Sequence, residues 1–220
     1  MYEYDEAAAF WDDVFGKAPV TVPACSASGY AAIDSALEWL CRDSNTVLDF
    51  GCGSGTLLLL CSLYGVGRNI GIDISKQAVL SAQKRASQMK SGSFDFICGG
   101  VDELAHISSR SADGVILSNI IDNLYPADAE RLIREVKRIL TENGKVFVKL
   151  NPHLTRQDIE AFGAKVLFDN VLNDGLILWN NTTEQWRVFF ERYFTVFGQY
   201  DIYFEEHDQY NRVFLLTNKA

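Results

Sequence analysis

Three glycines at alternate positions, Gly51, Gly53 and Gly55, stand between a β-type run and an apolar run. The run before them, Thr46-Val-Leu-Asp-Phe50, is short and rich in strand-forming residues. The run after them, Thr56 to Tyr64, is apolar nearly all round and predicts a buried helix. A glycine turn between a strand and a helix lets backbone approach a ligand closely, because no Cβ intrudes. The helix that follows presents free N–H groups at its start.

The same alternation continues along the chain. Asn69 to Asp73, Ser93 to Cys98, Ala112 to Ser118 and Lys145 to Leu150 read as further strands. Lys76 to Lys90, with Ser75 as its cap, and Ala127 to Leu140, with Leu132, Val136 and Ile139 inward, read as helices between them. Strands alternating with helices at this spacing predict βαβ units and a parallel sheet with helices on both faces. Two helices are expected before the first strand, one over residues 1–18 and one over 28–41. The first carries Phe10, Trp11, Val14 and Phe15 on one face. After Asn151, the runs Val166 to Leu172 and Leu176 to Trp179 flank Asn173-Asp-Gly175, a hairpin-type turn. Thr182-x-x-Gln185 has the form of a capping box and opens a helix through Tyr193. Tyr200 to Phe204 and Arg212 to Thr217 close the chain as an antiparallel pair. A length of 220 residues suits one domain able to bury its own core.

The loop carries its own acid, Asp49, and a second acid, Asp73, closes the next strand 18 positions after Gly55. An acid at that place accepts hydrogen bonds from ribose hydroxyls. Each such bond to a charged group is worth about 1.5–3 kcal/mol. The loop reads G-x-G-x-G rather than the nicotinamide pattern G-x-G-x-x-G, and Thr56 stands where that pattern has its third glycine. A carboxylate beside the loop disfavours a pyrophosphate and suits a cationic amino acid group. These features point to an adenosine-type cofactor other than a nicotinamide dinucleotide.

Residues 47–55 resemble the first motif of the class I S-adenosylmethionine-dependent methyltransferases, D-x-G-x-G-x-G. Asp49, Gly51, Gly53 and Gly55 fill its four fixed positions. The resemblance covers about residues 30 to 150, and the terminal strand pair is similar to the family's reversed hairpin. It implies an α/β fold: a Rossmann-like, doubly wound, mostly parallel seven-stranded sheet with an antiparallel C-terminal strand and a small β-hairpin insertion. The 1–220 span would be one domain: a helical lid over 1–45, a cofactor core over 46–150, a substrate cap over 151–181 and a closing helix and strand pair over 182–220. It implies S-adenosylmethionine as cofactor, with S-adenosylhomocysteine as product. By the same resemblance Asp49, Gly51, Cys52, Gly53 and Gly55 would surround its amino acid part. Asp73 would hold the ribose beside Ile74, and Val101 and Asp102 would stand at the adenine. Asn119 lies where the fourth strand ends and the family's active-site loop begins. The family often has an acid directly after the third strand, where this chain has Gly100-Val101.

Methyl transfer from a sulfonium is an in-line displacement in which the protein positions donor and acceptor and excludes water. A general base is needed only for an acceptor that arrives protonated. Asp122 and His153 are the candidates for that role. Structural readings stand beside the functional ones. Cys52 also reads as a small filler, Asp102 as a solvated helix start, and Asn119 and Asp122 as turn residues.

Net charge is −9, from 20 basic and 29 acidic residues, which argues against a nucleic-acid partner. The four prolines are never adjacent and no Pro-Cys pair occurs, so the signatures of DNA-adenine and DNA-cytosine methylation are missing. No C-x-x-x-C-x-x-C is present for radical chemistry on the same cofactor. Five cysteines at irregular spacing suggest reduced thiols and a cytoplasmic location. No run approaches the ~20 apolar residues of a membrane span, and no secretory signal is expected. The reading is a methyltransferase of a small-molecule acceptor. A protein or RNA acceptor, or a cofactor-binding module without catalysis, are its alternatives.

Overall fold

The structure, a computed structural model, describes residues 4–173 and 175–219. Two helices, α1 (Asp5–Gly16) and α2 (Ala31–Cys41), precede the sheet. The alternating unit follows as β1 (Thr46–Phe50), α3 (Thr56–Leu63), β2 (Arg68–Asp73), α4 (Lys76–Ala86), β3 (Ser93–Cys98), β4 (Ala112–Ser118), α5 (Pro126–Ile139) and β5 (Leu140–Leu150). Then come α6 (Arg156–Phe162) and the short strands β6 (Lys165–Phe168), β7 (Val171–Asn173) and β8 (Ile177–Trp179). The chain closes with α7 (Thr183–Glu191), β9 (Phe194–Phe204) and β10 (Gln209–Asn218).

The main sheet has seven strands in the order β3-β2-β1-β4-β5-β10-β9. β1 to β5 pair in parallel. β10 lies antiparallel between β5 and β9, the reversed hairpin expected at the C-terminus. β1 is central, and all five of its residues are buried. A strand covered on both faces needs no polar alternation, which explains the run Val-Leu-Asp-Phe. Val47 points into the core beneath α2 and α3, with Ile33, Leu37 and Leu58. Leu48 points into the opposite core beneath α5 and α7, with Leu132, Val136, Trp186 and Phe190. Chain order reverses between β1 and β4, and an open α/β sheet presents its ligand crevice at the carboxyl ends beside such a switch point.

The structure departs from the sequence reading most clearly in five places, the first being that β9 starts at Phe194, six residues before the expected Tyr200. α4 ends at Ala86, short of Lys90. β5 begins at Leu140, and Asn143-Gly144 falls within a register irregularity between the Ala112 and Gly114 pairings. The run 166–172 is two strands, turned at Asp169 with φ 43°, so the expected hairpin is a three-stranded sheet. α6 was not anticipated, although Thr155-x-x-Asp158 makes a reciprocal capping box at its start. Residues 1–3 of the expected first helix, Asp174 of the expected turn and residue 220 lie outside the described residues. The box at Thr182 and Gln185 forms as expected.

Candidate functional site

The loop after β1 is fixed by backbone. Gly51 and Cys52 both donate their N–H to the Ile72 carbonyl, at 2.8 and 3.1 Å. Gly51 and Gly53 adopt φ of 75° and 53°, the left-handed region that favours glycine. A Cβ on Gly51 would meet Ile120 at 2.8 Å, and one on Gly53 would meet the Phe15 ring at 2.8 Å. Asp73 is bound to this loop. Its Oδ2 accepts from Gly53 N at 2.7 Å and its Oδ1 from Ser75 N at 2.8 Å. Each carboxylate oxygen retains a further lone pair. Burial pushes the Asp73 carboxyl up, and the two N–H donors oppose that. Asp49 is fully buried behind the loop and its Oδ1 has no hydrogen-bond partner. Burial, and then the nearby Asp73 charge, push its carboxyl well above the usual range.

A cavity of about 540 Å³ opens from this loop, within the usual size of small-molecule sites. Gly51, Gly53, Asp73, Ile74, Gly100 and Val101 line one end. Asn119, Asn151, Leu154, Ile177 and Gln209 line the other. α1 forms a wall through Trp11 and Phe15, whose ring centroids lie 5.7 Å apart. α1 is tied at both ends. Asp12 Oδ1 accepts from Ser75 Oγ at 2.6 Å and Gln77 N at 3.0 Å, and these bonds lower its pKa. The Tyr4 hydroxyl donates to Asp128 at 2.8 Å and accepts from Tyr125 N at 3.1 Å. Arg85 of α4 fastens the segment after α1 to the glycine loop, donating to Thr21 O at 2.5 Å and Ser54 O at 2.7 Å.

Of the residues singled out in the sequence, Gly51, Gly53, Asp73, Ile74, Val101 and Asn119 come together on the cavity wall. The others do not line it. Gly55 starts α3, and its Cα faces Phe96 and Ala82. Cys52 is buried, with its sulfur toward Gly71, as a filler would be. Asp102 is exposed and ion-paired with Arg131, drawn to α5 and away from the cavity. His153 is exposed outside the lining, and burial and Arg212 lower its pKa.

Asp122 requires a correction. It is fully buried and does not face the cavity. Its Oδ2 accepts from Asn151 N at 2.7 Å and Asn151 Nδ2 at 3.1 Å, so it holds the end of β5 rather than a substrate proton. Arg212 completes this anchor, donating to Asn151 O at 2.7 Å and Asn181 O at 2.7 Å. Sequence reasoning missed Asn151, Gln209 and Arg212. The partners of Asn151 and Arg212 lie 29 and 61 positions away, and Gln209, bonded to Asn211 two positions on, is marked only by the cavity it lines.

The fold and the loop are those of a Rossmann-like α/β sheet with a glycine-built crevice at its switch point. Residues 48–148 match the family model described as a methyltransferase domain. The match spans slightly less than half of the chain, and the cofactor it indicates is S-adenosylmethionine. Among curated proteins, a ribosomal protein L11 methyltransferase of Vibrio vulnificus is 30% identical over 111 residues, which is 50% of this chain and 35% of that protein. The chain thus spans about a third of the length of that relative. Among solved structures, the PH0226 protein of Pyrococcus horikoshii is 20% identical with a TM-score of 0.69, over 94% of this chain and 99% of that one. A 1,6-didemethyltoxoflavin N1-methyltransferase of Burkholderia thailandensis, with its substrate and S-adenosylhomocysteine bound, is 14% identical with a TM-score of 0.68, over 100% of this chain and 92% of that one. At these identities the structures support the fold alone.

Proposed function

We propose that the protein is an S-adenosylmethionine-dependent methyltransferase with a small-molecule acceptor. The observation that carries the reading is one cavity lined at one end by the glycine loop and Asp73 and at the other by polar amides. The residues present fit the cofactor. Asp73 is held by two backbone N–H groups with lone pairs to spare for the ribose, and Ile74 and Val101 supply apolar walls for the base. The orphaned buried Oδ1 of Asp49 lies behind the loop, where a water shared with a cationic group would satisfy the carboxylate. When bound, S-adenosylmethionine supplies a methyl group activated on a sulfonium. The protein's part is to orient donor and acceptor and to exclude water, for which the aromatic wall of Trp11 and Phe15 is suited. In this reading residues 1–45 act as a lid and 151–181 as the substrate cap. The five free cysteines support a cytoplasmic location. Among the described residues no helix is long and apolar enough to cross a membrane.

A protein acceptor is the second reading, favoured by the L11 methyltransferase relatives. The two separate by experiment. The protein is incubated with methyl-deuterated S-adenosylmethionine and either a small-metabolite extract or the extract's proteins, with label read by mass spectrometry. Label in a small molecule is expected. Label in protein alone would overturn the first reading in favour of the second.

A further inference from the structure

We infer that the far end of the cavity is built to recognise an uncharged, planar, lactam-like molecule that offers both N–H and C=O groups. The inference rests on the methyltransferase reading for its location and on an interlocked set of amide side chains for its content.

The set begins at two fixed acceptors. The Asp122 carboxylate accepts from Asn151 Nδ2 at 3.1 Å, which fixes the orientation of the Asn151 amide. Its second N–H goes to Asn123 Oδ1 at 3.0 Å, and Asn123 Nδ2 donates to Ile177 O at 2.8 Å. Both Asn151 N–H groups are thus used, and Asn151 Oδ1 has no partner among the described residues. The second anchor is the Leu150 carbonyl, which accepts from Asn211 Nδ2 at 2.9 Å. The same nitrogen reaches Asn119 Oδ1 at 3.4 Å, so the Asn119 amide must turn its Nδ2 outward. Asn211 Oδ1 accepts from Gln209 Nε2 at 3.1 Å, so Gln209 must turn its Oε1 outward.

Asn119, Asn151 and Gln209 all line the cavity. Together they leave N–H donors on Asn119 Nδ2 and on Gln209 Nε2, whose second N–H is unused, and two acceptors, Asn151 Oδ1 and Gln209 Oε1. None of the three amides can flip without breaking a bond, Asn151 to the Asp122 anchor and Asn119 and Gln209 to Asn211, which the Leu150 carbonyl holds. The pattern calls for a ligand with N–H donors and a carbonyl-type acceptor. The surrounding wall is apolar, with Leu154, Phe162, Leu176 and Ile177. A charged ligand there would lose hydration with only neutral amides in return. A hydrocarbon would leave the amides unpaired. An uncharged heterocycle satisfies both. The described lining residues bring one acid, Asp73, and it sits at the glycine end, bound to Gly53 and Ser75. The reacting atom of such an acceptor therefore uses a lone pair it already has at neutral pH. That pair forms the new bond to the methyl carbon while the carbon–sulfur pair returns to sulfur, and any surplus proton on the acceptor leaves to water.

The test is calorimetry on the full chain saturated with S-adenosylhomocysteine. The probes are uracil and hypoxanthine, with benzoate, benzylamine and toluene as charged and apolar comparators. The expected result is binding of the two lactams, about tenfold or more tighter than any comparator. Gln209→Met, which removes one acceptor at similar size, should weaken the lactams about tenfold and leave S-adenosylhomocysteine affinity within about twofold. Lactams that bind no better than the comparators, or equally well to Gln209→Met, would overturn the inference. Failure of S-adenosylhomocysteine to bind would instead overturn the methyltransferase reading.

Discussion

The two ends of the cavity are made in different ways. At the glycine end the groups that set the geometry are mostly backbone: the N–H groups of Gly53 and Ser75 around Asp73, and glycine positions with no room for a Cβ. At the amide end they are side chains, carried just after β5, on β10 and just after β4, and oriented by one another. A backbone-built site depends on conformations that few residue types allow. A side-chain-built site depends on tertiary hydrogen bonds, and its residues can change without changing the fold. The first end is therefore suited to the ligand common to a whole class, and the second to the ligand particular to one member.

The largest effect should come from cutting the anchor of the amide end. Arg212→Met leaves the buried carbonyls of Asn151 and Asn181 without their guanidinium, and Asp122 without a nearby cation. A loss of about 3–5 kcal/mol is expected in denaturant unfolding. The folded fraction should keep its S-adenosylhomocysteine affinity. A parallel loss at both ends would mean they are not separate.

Gly53→Val strikes the other end. It places a branched side chain at φ 53° and into the Phe15 ring. S-adenosylhomocysteine affinity should fall by about a hundredfold or more, near 2.7 kcal/mol, measured by calorimetry. Normal affinity would show that the loop is only structural.

Asp73→Asn is milder, because shape is kept. The new amide cannot accept at both positions where Gly53 and Ser75 donate. A loss of about 1.5–3 kcal/mol in cofactor affinity is expected, roughly one to two decades. An unchanged titration would remove Asp73 from the site.

The smallest effect concerns Asp49 and pH. Its folded-state pKa is raised, first by burial and then by Asp73. The folded chain thus holds a proton that the unfolded chain releases. The group's contribution to stability is full below the unfolded value of about 3.8 and is lost as pH rises through the raised value. Asp49→Asn should therefore melt higher than the parent, by a margin that grows as pH rises from about 3.8 toward the raised value. A margin that shrinks with pH would contradict the assigned environment.

The same contrast explains what could be read from the chain. Asp49, the three glycines and Asp73 lie within one strand–loop–helix–strand stretch, so local spacing carries the chemistry. The strands β1, β3 and β4 begin and end where their sequence pattern changes. The Asn119–Asn211 bond joins residues 92 positions apart, and no local pattern marks such a pair. Asp122 illustrates the cost. It sits at the right place in the chain for a base, but the 3-10 turn that carries it directs the carboxylate to Asn151. Asp102 is drawn off in the same way by Arg131. A carboxylate's role depends on its nearest donor, and that donor is set by tertiary structure.

The most direct test of the account is a calorimetric titration of the purified, ligand-free chain with S-adenosylhomocysteine, with NAD as comparator. Saturable binding of one equivalent, absent for NAD and weakened about a hundredfold or more in Gly53→Val, is the predicted result. A folded chain that binds no S-adenosylhomocysteine, or binds NAD equally well, would contradict the assignment of the glycine end.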